Sequence, residues 1–212
     1  MRITGFKMQK GRKQAITVEF EDGKELQVDP ELIVRFHLGV GTDLDEQFEK
    51  RLREENSRLL ARRRLVAYLS ARRKTTQEAR LYLERLGFPA TAVEYALEAV
   101  RELGLLDDAG FAQAYTRTQK KVAKKGPRAI EFELLSRGVS RGEAEEVVSR
   151  CYSPQEQVHL AREIAEKRMS RLSSSTVAEK HRKLSQYLFR RGFDPEIVAE
   201  VVRELLHHEE ND

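Results

Sequence analysis

The sequence predicts a mostly α-helical chain of tandem three-helix, helix-turn-helix-like repeats, elongated and curved, with a small N-terminal β-hairpin or three-stranded element. Two observations predict the repeats. Leu83-Glu84-Arg85-Leu86-Gly87-Phe88 returns as Leu134-Leu135-Ser136-Arg137-Gly138-Val139 and again as Leu188-Phe189-Arg190-Arg191-Gly192-Phe193, with the glycines 51 and 54 residues apart. A glycine just past a helix adopts the left-handed conformation that closes it, and the next apolar residue packs back on the last turn. The second observation is register: six residues beyond each glycine stand Val93, Ala144 and Val198, and ten beyond stand Leu97, Val148 and Val202. One match is common among helical proteins; three in register mark an internal repeat. A third observation predicts the strands: Gln14 to Phe20 alternates, Asp22-Gly23 is a hairpin turn, and Glu25-Leu26-Gln27-Val28 returns.

In chain order, Ile3 to Met8 supplies a third strand, and Ile16, Val18 and Phe20 form the inner face of the second. Asp29-Pro30 opens a short helix, as an N-cap followed by proline at the first helical position, and that helix is expected to end near Gly39. From Asp43 to Arg72 the pattern is helical, as one long helix or as two that break near Asn56-Ser57. Capping boxes at Thr75-Thr76-Gln77-Glu78, Ser140-Arg141-Gly142-Glu143 and Ser153-Pro154-Gln155-Glu156, with Thr176 in the same role, start later helices. Ser173-Ser174-Ser175 reads as a loop. These boundaries divide the chain into residues 1–42 (strands and short helix), 43–106 (long helix and first repeat), 107–152 (second repeat) and 153–212 (third repeat).

Composition narrows the function. Charged residues make up 35% of the 212 residues, aromatics 7%, and there is no Trp to line a pocket. No apolar run approaches the ~18–20 residues of a membrane span, and the N-terminus lacks a signal-peptide apolar region. The single Cys151 forms no internal disulfide. A cytoplasmic protein is expected. The net charge of +4 is unevenly spread: residues 57–128 hold sixteen Lys/Arg against seven Asp/Glu. That excess points to a polyanionic partner. It lies in two groups, Arg62, Arg63, Arg64, Arg72, Arg73 and Lys74, and Arg117, Lys120, Lys121, Lys124, Lys125 and Arg128. Some of these cations complement helix C-termini, but like charges four apart, such as Lys121 and Lys125, destabilise a helix slightly, and the fold does not require them all. Contacts of this kind with phosphates are independent of sequence and strongly salt-dependent.

No catalytic set, cofactor motif or metal site is apparent. No two of His37, His159, His181, His207 and His208 stand four apart on a helix, and Cys151 falls on an inner face. Gly39-Val40-Gly41-Thr42 lacks the Gly-Lys-Ser/Thr ending of a phosphate loop. Asp107-Asp108 precedes a helix and reads as a cap.

These residues resemble the RecX family of recombinase regulators. The resemblance rests on Leu65 to Leu69 with Ser70 and Arg72, Leu81 to Phe88, and Gly104-Leu105-Leu106-Asp107-Asp108. It continues through Phe111-Ala112, Tyr115, Lys125-Gly126-Pro127 and Ile130 to Gly138-Val139, and spans roughly residues 57–207. One departure is visible: Glu131-Phe132-Glu133 is acidic where the family tends to be basic. The resemblance implies a monomeric, non-enzymatic protein of DNA repair, homologous recombination and the SOS response. It implies binding to the RecA–single-stranded DNA filament and modulation, usually inhibition, of its recombinase, ATPase and coprotease activities, with single-stranded DNA and, non-specifically, duplex DNA as further partners. The alternative from the residues alone is a stand-alone helix-turn-helix DNA-binding regulator, although no helix carries an obvious set of base-reading Asn, Gln and Arg.

Overall fold

The structure, a computed structural model, describes residues 1–8, 16–172 and 176–209. The expected strand positions Gln14 and Ala15 and the expected loop Ser173-Ser174-Ser175 lie outside the described residues. The chain forms two compact units, Met1–Asp107 and Asp108–Asp212.

The first unit opens with β1 (Ile3–Met8), β2 (Ile16–Phe20) and β3 (Glu25–Val28), a sheet of order β1-β2-β3 with both pairings antiparallel. Val18 and Phe20 are buried as their alternation requires, and Thr17 of the opposite face is buried as well. Helix α1 (Pro30–Arg35) starts as expected, with the Asp29 carboxylate accepting the Glu31 N–H. It stops four residues before Gly39. His37 adopts φ 49°, its N–H donates to the Val34 carbonyl and the Leu38 N–H to the Ile33 carbonyl. This is the glycine-type helix stop performed by a histidine.

Helix α2 (Glu46–Leu69) is a single helix with no break at Asn56-Ser57. Asn56 is buried, and its side chain accepts from the Asp29 N–H and donates to the Gln27 carbonyl. A polar residue in mid-helix therefore satisfies the backbone where β3 leaves the sheet. Leu52 and Leu59 complete a core with Ile3, Val18, Phe20, Val28 and Leu32, which answers how so small a sheet is stabilised. One turn further along, Arg63 reaches back to the fully buried Asp29 carboxylate, with Nη2 2.7 Å from Oδ1. Arg63→Ala leaves that carboxylate buried without its countercharge, and should cost the first unit about 2 kcal/mol, less than a fully buried pair because Arg63 is one-third exposed. Chemical denaturation of the single mutant and of Arg63→Ala with Asp29→Asn measures this; the double mutant recovers part of the loss.

The rest of α2 packs with α3 (Thr76–Arg85) and α4 (Ala90–Glu102) around Leu65, Leu69, Leu83, Val93, Leu97 and Val100. The second unit holds α5 (Asp108–Lys121), α6 (Pro127–Ser136), α7 (Arg141–Cys151), α8 (Pro154–Met169), α9 (Val177–Arg190) and α10 (Pro195–Glu209). The three capping boxes form as read. So does the repeated stop. Gly87, Gly138 and Gly192 have φ 80°, 84° and 86°. The N–H of Phe88, Val139 or Phe193 returns to the carbonyl of Leu83, Leu134 or Leu188 at 3.3, 3.1 or 3.2 Å. Those three leucines, and all six register residues from Val93 to Val202, are buried.

Within the second unit, one continuous core runs from Phe111 through Leu134, Val148, Leu160 and Leu188 to Leu206. The α5–α6 turn lies directly on the α9–α10 turn. Gly126 donates its N–H to the Arg191 carbonyl at 2.7 Å, and the Arg128 N–H donates to the Gly192 carbonyl at 3.1 Å. Gly126 caps α6 without a side chain. The carbonyl of the other turn takes over that work, accepting one of the N–H groups a helix start leaves unpaired.

Candidate nucleic-acid interface

The end of α2 and the turn into α3 present the first basic group in two halves. Arg62 and Arg63 are committed to the N-terminal element, Arg62 to Glu31 at 3.7 Å and Arg63 to Asp29. Arg64, Arg72 and Arg73 are exposed and meet no acidic side chain among the described residues. Lys74 places its ammonium 5.0 Å from the Tyr68 ring centroid, and Tyr68 stacks on Tyr82 of α3 at 4.0 Å and an interplanar angle of 5°. Arg64 and Tyr68 are four apart, one turn of α2. Arg85, exposed and likewise without an acidic partner among the described residues, follows Tyr82 by almost one turn. Two stacked phenols with Lys74 against one of them, on a helix end and turn that also carry uncompensated arginines, suit a flexible polyanion with planar bases. Cations meet phosphates, and aromatic faces accept any base.

The second basic group is different. Lys120 lies 3.0 Å from Glu156 and 4.7 Å from the Tyr152 ring centroid, and Lys124 lies 3.0 Å from Glu163. Lys125 pairs with Glu133, and Arg128 with Asp194. These partners stand between 8 and 66 residues away along the chain. The cations tie α5, α6 and the turn between them to the rest of the unit. A hydrogen bond from the Ser153 backbone, and then the Lys120 ammonium, hold the Glu156 carboxyl below its ordinary range. Hydrogen bonds from Lys124 and Lys167 do the same for Glu163. Only Arg117 and Lys121 of this group are exposed with no partner among the described residues. The structure thus keeps the two groups in separate units and leaves uncompensated charge mainly in the first.

Glu133 belongs to the acidic segment Glu131-Phe132-Glu133. Tyr115 donates its hydroxyl to it at 2.7 Å, and Lys125 binds its other oxygen. Burial works to raise the Glu133 carboxyl, but the hydrogen bonds from Lys125 and Tyr115 outweigh it and set the carboxyl below its ordinary value. A carboxyl depressed in the folded state contributes stability above its unfolded pKa, about 4.3, and loses that contribution as pH falls through the folded value. Melting Glu133→Gln beside the wild type from pH 7 down to 3 should show a gap that closes at the acid end. A gap constant with pH would contradict the assignment.

The two basic groups of the sequence do not include Tyr68, Tyr82 or Arg85. The available signal was the spacing of Tyr68 four residues from both Arg64 and Arg72.

Comparison with known proteins places these features in a family. Residues 107–148 match the family model described as RecX, second three-helix domain, and residues 155–202 match that of RecX, third three-helix domain. The Regulatory protein RecX of Geobacillus thermodenitrificans (strain NG80-2) is 30% identical over 192 residues, covering 91% of this chain and 71% of that protein. The chain belongs to the RecX family. A RecX of Listeria welshimeri is 28% identical over 198 residues, covering 93% of this chain and 73% of its own. Among solved structures, a crystal structure of regulatory protein RecX superposes with a TM-score of 0.72 at 25% identity, over 94% of this chain and 98% of that one. The crystal structure of RecX from Lactobacillus salivarius gives 0.66 at 26% identity, over 71% of this chain and 97% of its own. The three-helix units and the N-terminal sheet are therefore those of a RecX regulator. No helix of the described residues is long and apolar enough to cross a membrane.

Proposed function

We propose that this RecX regulator binds the RecA–single-stranded DNA filament and restrains its ATP hydrolysis, strand exchange and coprotease activity, and that the α2–α3 face of the first unit contacts DNA. The observation that carries the reading is the Tyr68–Tyr82 stack with Lys74 against it, on the same helix end and turn that carry the uncompensated Arg64, Arg72 and Arg73. Internally neutralised cations gain little from a polyanion, because their partners must be given up first. Uncompensated ones release counterions from the nucleic acid at no such cost. Arg117 and Lys121 supply the contribution of the second basic group, and Arg63, Lys120, Lys124, Lys125 and Arg128 serve the fold. The regulator acts by binding one state of the filament better than another, which needs no chemistry of its own.

Co-sedimentation tests the reading. The protein should pellet with RecA assembled on single-stranded DNA more strongly than with either RecA or DNA alone. Equal pelleting with bare DNA, together with tight binding to one particular duplex, would favour the stand-alone DNA-binding regulator instead.

A further inference from the structure

The second helices of the first and third repeats end in the same words. Tyr82-Leu83-Glu84-Arg85-Leu86-Gly87-Phe88 and Tyr187-Leu188-Phe189-Arg190-Arg191-Gly192-Phe193 share Tyr-Leu-x-Arg-x-Gly-Phe, whereas the second repeat reads Glu133-Leu134-Leu135-Ser136-Arg137-Gly138-Val139. The first helices correspond too: α2 ends at Leu69 with Ser70 as its cap, and α8 ends at Met169 with Ser170 as its cap. The residue one before the end is Tyr68 in α2 and Arg168 in α8. In the first repeat Tyr68 lies on the Tyr82 ring. In the third, the Arg168 guanidinium lies 5.8 Å from the Tyr187 ring centroid.

Arg191 approaches the same ring at 6.0 Å. Its Nη2 donates to the Ala123 and Lys124 carbonyls, but its Nε is buried without an acceptor. Arg168 has no carboxylate or carbonyl partner among the described residues, and its Nε is also buried without an acceptor. Two donors next to one phenol are therefore unanswered, an arrangement that costs stability unless something accepts them. Arg190, the counterpart of Arg85, lies almost one turn beyond Tyr187, is exposed, and has no acidic partner among the described residues. In the second repeat the equivalent of the tyrosine is Glu133, already held by Tyr115 and Lys125. A phosphate is repelled there by the Glu133 carboxylate.

We propose that the third repeat carries a second contact for single-stranded nucleic acid, formed by Tyr187, Arg168, Arg190 and Arg191, on the same plan as the α2–α3 face. The guanidinium groups take the phosphate and the phenol takes the edge or face of a base or sugar. A lone carboxylate of a protein partner would use the guanidinium groups but leave the ring without a role, so nucleic acid fits the pair better. The proposal rests on the reading that this protein binds single-stranded DNA. It adds that a strand long enough to engage both contacts gains from the second as an intramolecular step.

The test is fluorescence anisotropy of labelled oligothymidylate with the full chain over a salt series. Arg168→Gln with Arg190→Gln should weaken binding to a long oligomer by about tenfold and make the slope of log K against log salt shallower by about 1.4, the change for two lost phosphates on a single strand. Arg190→Glu alone, at an exposed position, should act in the same direction with an unchanged melting temperature, so a folding defect in the first variant cannot decide the matter. Unchanged affinity and slope in both variants, while Arg72→Gln with Arg73→Gln abolishes binding, would overturn the second contact and leave the proposed function standing. If no variant in either repeat alters binding, both readings fail. Normal DNA binding with weakened capture of the filament would overturn the proposal by assigning Arg168 and Arg190 to the recombinase.

Discussion

Gly192→Ala is expected to destabilise the second unit by at least about 4 kcal/mol, a large share of the roughly 5–15 kcal/mol that holds a typical domain folded. Two effects add. The residue sits at φ 86°, where a Cβ is strained, and that alone costs an α-helical stop ~1 kcal/mol. A Cβ there would also stand 2.8 Å or less from the backbone of Ala129, which cannot move without breaking the hydrogen bond from Arg128 N–H to the Gly192 carbonyl. Gly126→Ala meets the same obstacle from the other side, with the Gly192 carbonyl carbon at 2.5 Å. Gly87→Ala separates the terms. Gly87 has φ 80° but nothing within 4 Å of an added Cβ, so it should cost only about 1 kcal/mol. Urea denaturation of the three variants measures the contrast. Similar losses for Gly87→Ala and Gly192→Ala would mean that the close approach of the two turns contributes nothing.

Reversing charge at Arg72 and Arg73 should leave the fold intact and remove most of the binding to single-stranded DNA. Both side chains are exposed and unpaired among the described residues, so the stability change should stay within about 0.5 kcal/mol. Affinity at low salt should fall on the order of a hundredfold, because two attractions become two repulsions and counterion release is lost with them. Lys125→Glu should behave in the opposite way. It places a carboxylate against Glu133 and severs the tie to the α5–α6 turn, so the melting temperature of the second unit falls while the first unit still binds DNA. Filter binding and thermal melts on the same preparations compare the two. Equal loss of affinity in both variants, with no loss of stability in either, would mean that internal pairing does not distinguish these cations.

The difference between those variants marks what the sequence could disclose. The helix stops at Gly87, Gly138 and Gly192 were legible because a positive φ is a local demand, answered within six residues by Leu83, Leu134 and Leu188. The capping boxes at Thr75, Ser140 and Ser153 are equally local. The pairing of Lys124 with Glu163, or of Arg128 with Asp194, joins residues that only packing brings together, so a charge run looked uniform when half of it is neutralised. Gly126 read as a helix break; its close approach to Gly192 belongs to the packed unit. Helix α1 ends before the glycine that the sequence points to for a local reason of a rarer kind, because His37 does a glycine's work.

The central claim is that this protein restrains the recombinase filament through binding. ATP hydrolysis by RecA on single-stranded DNA, followed while the protein is titrated in, tests it most directly. Inhibition should appear at protein levels well below those that coat bare DNA, and should shift to much higher levels with Arg72→Glu and Arg73→Glu. Hydrolysis that stays constant until the DNA is saturated, or that falls equally with the charge-reversed protein, would contradict the account.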